Sequence, residues 1–113
     1  MTDLEYLDRA EALLRSVEAQ CDRLSESAEV DIDAQRAGGM VTLAFAGGGE
    51  IVINLQRPLH EVWLATRLGG YHYRLADGAW RDTKSGEDFF ERLSRSATEQ
   101  AGMPLRFAPF QQK

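Results

Sequence analysis

Between residues 29 and 82, apolar and polar side chains alternate in short runs, and each run is followed almost at once by turn-forming residues. Strands joined by so few residues pair antiparallel, because a parallel return needs a crossover of a dozen residues or more. The first run, 29–35, sets Val30 and Ile32 on one side and Glu29, Asp31 and Asp33 on the other. A turn is expected at 36–39, then a strand at 40–46 with Val41, Leu43 and Phe45 on one face. Gly47-Gly48-Gly49 reads as a turn, since three glycines inside a pleated strand would weaken it. The run 50–56 places Ile51, Ile53 and Leu55 opposite Val52, Asn54 and Gln56, and Pro58 ends it. Further strands are expected at 61–66, 71–75 and 79–82, separated by Gly69-Gly70 and Asp77-Gly78.

Helical periodicity brackets this strand region. From about 3 to 24, Tyr6, Ala10, Leu13, Leu14, Val17, Cys21 and Leu24 recur three and four apart and form one apolar stripe. Residues 25–28 break the pattern and read as a short connection. A second helix is expected over about 86–101, with Ser85 as N-cap, Asp88 three residues on, and Phe89, Phe90, Leu93, Ala97 and Ala101 along one side. Gly102 and Pro104 supply its stop, and the tail 103–113 is expected to pack back as an irregular strand. Two amphipathic helices can cover only one face of a sheet of five to six strands. The expected fold is therefore α+β: a single-domain, two-layer sandwich with the N- and C-terminal helices on one face of an antiparallel sheet and the other face open.

The 113 residues carry a net charge of −5, distributed unevenly. Residues 1–33 hold ten acids against Arg9, Arg15 and Arg23, a net −7, and the remainder is +2. This excludes nucleic acid as a partner, because phosphate binding needs a basic footprint; it favours cations or a basic protein surface. One cysteine excludes an internal disulfide and a thiolate metal cage. Its place on the apolar stripe marks it as a buried, inert thiol. No apolar run reaches the roughly 20 residues of a membrane span, and the N-terminus starts acidic, so a soluble cytoplasmic protein is expected. The glycines at 47–49 precede a strand, not a helix, and so form no phosphate loop. Trp80 and Phe89 read as core.

The run Ile53-Asn54-Leu55-Gln56-Arg57-Pro58-Leu59-His60-Glu61-Val62-Trp63-Leu64-Ala65 resembles the signature of the bacterial frataxins. The resemblance continues through Gly69-Gly70-Tyr71-His72-Tyr73, Gly78-Ala79-Trp80 and Ser85-Gly86-Glu87-Asp88-Phe89. With the acidic first helix it covers some nine-tenths of the chain in order. It implies the same helix–sheet–helix sandwich, a role in iron–sulfur cluster biogenesis, and weak iron binding on acids of the first helix and first strand. It also implies two partners, a cysteine desulfurase, whose activity the family is thought to restrain, and the scaffold protein on which the cluster is built.

Carried onto this chain, the implied metal residues are Glu11, Glu18 and Asp22 on the helix with Glu29, Asp31 and Asp33 on the strand. Glu18 and Asp22 are four apart, so they are neighbours on a helix, and like charges at that spacing repel. If the first strand is the sheet edge beside the helix, the two sets form one ridge. Oxygen ligands without imidazole or thiolate suit hard or borderline cations and select poorly, so Fe2+ or Fe3+ would bind weakly, with calcium, magnesium or manganese competing. Arg15 lies among the acids, where it either divides the ridge or leaves it whole. Taken without the resemblance, these acids are also explained as a solvated helix face plus the protective charges of an edge strand.

On the open face, Asn54, Gln56 and Trp63 point away from the apolar side, and the resemblance adds His72 to the same surface. An exposed tryptophan among amides has the composition of a docking site, although Trp63 alone could equally be a half-buried sheet residue. Three functions follow as expectations: an iron-binding adaptor and regulator of cluster assembly; a ferroxidase with iron storage in oligomers; or an acidic docking module with incidental metal binding. The chain lacks the Glu-x-x-His repeat of a di-iron carboxylate site, which counts against the second. A non-enzymatic monomer, with iron-induced oligomers as the variant, is the first expectation.

Overall fold

A computed structural model describes residues 1–28 and 30–110. The elements run α1 (Asp3–Ser27), β1 (Ile32–Ala37), β2 (Met40–Phe45), β3 (Glu50–Gln56), a 3₁₀ turn (Arg57–Leu59), β4 (Glu61–Thr66), β5 (Gly69–Ala76), β6 (Ala79–Asp82) and α2 (Phe89–Ala101). The six strands form one sheet in chain order, each antiparallel to the next, as the short connections require. Both helices lie on one face. There Tyr6, Leu13, Leu14 and Val17 of α1 and Phe89 and Leu93 of α2 share a core with Leu43, Ile51, Ile53, Leu64, Tyr73 and Trp80. The two-layer α+β sandwich is as expected.

α1 starts with a capping box: the Thr2 hydroxyl accepts from the Glu5 N–H, and the Glu5 carboxylate accepts from the Thr2 N–H. The helix runs to Ser27, three residues beyond the expected end. Its serines find acceptors instead of unwinding it: Ser27 donates to the Arg23 carbonyl at 2.8 Å, and Ser25 to the Ile32 carbonyl at 3.1 Å.

β1 begins at Ile32, not 29, and extends through Arg36 to Ala37, so the turn shrinks to Gly38-Gly39. Gly38 takes a φ of +58° that tightens the hairpin, and Arg36 thereby becomes a strand residue. Gly69 and Gly70 also belong to a strand, paired with Thr66 and Ala65. The turn is made by Arg67 and Leu68, with the Thr66 hydroxyl accepting from the Leu68 N–H.

α2 starts at Phe89 rather than near 86. Its N-cap is Asp88, whose carboxylate accepts from the Phe90 N–H at 2.9 Å, while the Ser85 hydroxyl instead accepts from the Glu87 N–H. Gly102 ends the helix in the left-handed conformation, as expected. The tail makes no strand among the described residues; 111–113 lie outside them. Side chains hold it instead. Ser94 and Thr98 bond both ways with the backbone of Phe107 and Leu105, and buried Gln20 bonds both backbone groups of Ala108.

Candidate functional site

β1 is an edge strand, and α1 packs beside it running the opposite way: Ser25 meets Ile32 at one end, and Glu18 and Glu11 meet Arg36 at the other. The alternation that sends Ile32 into the core also sends Arg36 to the helix side. Its guanidinium donates to Glu18 Oε1 at 2.8 Å and pairs with Glu11 Oε2. These two carboxylates are therefore joined through an internal cation. Asp22, one turn beyond Glu18, is exposed and makes no ion pair among the described residues, and the same holds for Asp31. Asp33 projects from the opposite face of β1 and accepts from Gln35 at 3.0 Å. Glu29 lies outside the described residues. Arg15 is exposed and forms no ion pair among the described residues, so Arg36 is the base that interrupts these acids.

Among the described residues, no three His, Cys, Asp or Glu side chains converge as a ready-made metal cage. The donors that remain are exposed carboxylate oxygens, a set suited to hard cations held with much of their water. Cys21 offers no ligand, because burial, with Asp22 and Glu18 nearby, pushes its thiol up to about 12. His60 takes a left-handed φ of 53°, stacks on Tyr6 and pairs with Asp3 at 2.7 Å, at the start of α1. Among the described residues, no helix is long and apolar enough to cross a membrane.

The sheet face away from the helices carries the second set. Register places Asn54 opposite Trp63, and Trp63 opposite His72, in one row across β3, β4 and β5. The Trp63 and His72 rings stack with centroids 4.1 Å apart and planes 7° apart. Gln56 lies in the neighbouring row, opposite Glu61.

Glu61 was not singled out from the sequence, yet it organises this face. It is 5% exposed, and its carboxylate accepts from Trp63 Nε1 and from Arg74 Nε, each at 2.8 Å, with His72 Nδ1 at 3.9 Å. Burial, the largest single influence, would raise its pKa, but the hydrogen bonds from Trp63 and Arg74 together with the positive charge beside it outweigh burial and hold the group below its ordinary value. The spacing of Glu61 and Trp63, two apart on one strand, was the signal available for it. Arg36 is not legible from the sequence, where the pattern places it in the turn expected at 36–39.

Fold and site together define a class: a two-layer α+β domain with an acidic helix–strand edge and an uncovered sheet face bearing an ordered tryptophan. The frataxin-like domain family matches residues 1–103, and the chain belongs to that family. It is 58% identical over 108 residues to the iron–sulfur cluster assembly protein CyaY of Paracidovorax citrulli, covering 96% of this chain and 98% of that one. Among solved structures it resembles frataxin from Psychromonas ingrahamii, with a TM-score of 0.84, 34% identity, and coverage of 96% of this chain and 100% of the other. It also resembles trimeric frataxin from Saccharomyces cerevisiae complexed with ferrous iron, with a TM-score of 0.73, 25% identity, and coverage of 83% and 86%.

Proposed function

We propose that this chain is an iron-binding adaptor of iron–sulfur cluster assembly, a single cytoplasmic domain without turnover chemistry of its own. Fe2+ or Fe3+ is held weakly at the acidic edge by Asp22, Asp31 and Asp33 with Glu29, and by Glu11 and Glu18 when Arg36 releases them. The row Asn54, Trp63 and His72, with Gln56 beside it, docks the assembly machinery, the cysteine desulfurase and the scaffold protein, and the adaptor modulates the desulfurase.

The observation that carries this reading is the set of exposed carboxylates on α1, just before β1 and on β1, namely Asp22, Asp31 and Asp33, that pair with no cationic side chain among the described residues. A chain keeps such an edge, at a cost in self-repulsion, where something positive meets it. Names of the relatives support the pathway, and the ferrous complex of the yeast frataxin supports iron as the cation. Carboxylate oxygens alone discriminate little among hard cations, so magnesium, calcium and manganese compete.

Calorimetric titration with ferrous iron under anaerobic conditions tests this. Combining Asp22→Asn, Asp31→Asn and Asp33→Asn should abolish the heat of binding while leaving the urea midpoint unchanged or raised. Undiminished iron binding by that variant would overturn the assignment.

A further inference from the structure

The face that carries Trp63 is basic toward its far edge, in a protein that is acidic overall. Arg74 and Arg81 stand directly opposite each other in the β5–β6 register, on the same side of the sheet as Trp63 and His72. Both are exposed. Two like charges in a cross-strand pair repel, and the sheet gives them little relief. The buried carboxylate of Glu61 binds Arg74 but is shared with Trp63 and lies near His72. Among the described residues, the Arg81 guanidinium donates to the Gly86 carbonyl, at 3.3 Å, and makes no ion pair. Asp82 lines the same hollow, a cavity of about 460 Å³, but its Oδ1 is taken up by the N–H groups of Lys84 and Ser85. What remains is an ordered aromatic plate beside two guanidinium groups, of which, among the described residues, only Arg74 is paired with a carboxylate, that of buried Glu61.

We propose that the β4–β6 half of the open face receives an acidic segment of a partner protein, whose carboxylates bind Arg74 and Arg81 while an apolar or amide group lies against the Trp63–His72 stack. The proposal rests on the docking role given to this face above, and supplies the chemistry of the occupant. Planar guanidinium groups suit carboxylates bidentately, and the tryptophan supplies the desolvated anchor typical of protein interfaces. The acidic edge repels polyanions at longer range, so a short acidic peptide stretch is favoured over nucleic acid, which needs an extended basic track.

The test is an NMR titration of the isotopically labelled full chain with the peptide acetyl-(Asp-Glu)4-amide, in low salt. The Trp63 indole N–H and the amides of His72, Arg74 and Arg81 should shift saturably, while the neutral peptide acetyl-(Asn-Gln)4-amide leaves them in place. Arg74→Glu with Arg81→Glu should weaken binding at least about tenfold, as expected for losing charge-assisted hydrogen bonds, and the milder Arg74→Gln and Arg81→Gln guard against misfolding. A silent face, an unchanged affinity in the double variant, tighter binding of oligothymidine, or self-association through this face would each overturn the proposal. Trp63→Ala, assayed for binding to the cysteine desulfurase and scaffold, separates the two ideas. If that variant loses partner binding while the acidic peptide stays silent, the docking role stands and the acidic occupant falls. If it keeps partner binding while the peptide still binds, the docking role falls and acidic recognition stands.

Discussion

Arg36 sits within the acidic edge with its guanidinium between Glu11 and Glu18, so two carboxylates share one internal positive charge before any external cation arrives. Replacing it with glutamine should release both. Removing one positive charge a few ångströms away is worth about 1 kcal/mol in a partly solvated setting, so Arg36→Gln should tighten ferrous iron binding about fivefold. Its stability should fall by no more than about 1 kcal/mol, since both pairs are partly exposed. An affinity unchanged from wild type in anaerobic titration would show that Glu11 and Glu18 take no part in binding. Glu61 makes a different prediction, one of pH. Its folded-state pKa is depressed, so the stability it contributes is present above its ordinary value of 4.5 and is lost as pH falls below it. The gap in urea midpoint between wild type and Glu61→Gln should therefore be widest near neutrality and close on acidification below that value. A gap that stays constant with pH would contradict the carboxylate's role in holding Trp63 and Arg74.

Among the elements, periodicity located both helices and all six strands, because burial on one side imposes a 3.6-residue or two-residue repeat that sequence cannot hide. The ends were less legible. Ser25 and Ser27 read as helix breakers, yet their hydroxyls are satisfied within α1 and by β1. Gly69 and Gly70 read as a turn, yet they complete a strand ladder. The tail was expected to be an irregular strand, and its actual attachment depends on side chains far apart in sequence. Buried Gln20 of α1 donates to the Ala108 carbonyl at 2.9 Å and accepts from its N–H at 2.7 Å. Gln20→Ala leaves both half-buried backbone groups unpaired, which should cost about 1–3 kcal/mol. Urea unfolding measures that cost, and hydrogen exchange at the Ala108 amide should accelerate; an unaltered midpoint would mean Ser94 and Thr98 suffice to hold the tail.

For the molecule as a whole, the charge imbalance visible in the sequence becomes a spatial one. The acidic edge lies at β1, whereas Arg74 and Arg81 lie at β5 and β6. Five strand spacings separate the two sheet edges, roughly 24 Å, enough for a cation on one and a protein on the other to bind together. The candidate residues were legible because charge density and alternation are local properties. Their partners were not: Arg36 with Glu11 and Glu18, and Glu61 with Trp63 and Arg74, depend on strand register and on how α1 lies against β1. Those pairings divide the acids into an occupied set and a free set. The most direct measurement is an anaerobic NMR titration of the labelled chain with ferrous iron. Resonances of Asp22, Asp31 and Asp33 should broaden first, those of Glu11 and Glu18 later or only in Arg36→Gln, and those of Asn54, Gln56, Trp63 and His72 should stay sharp. Broadening centred on the Trp63 row, or none at the acidic edge, would contradict iron binding there and leave its carboxylates to a basic protein partner.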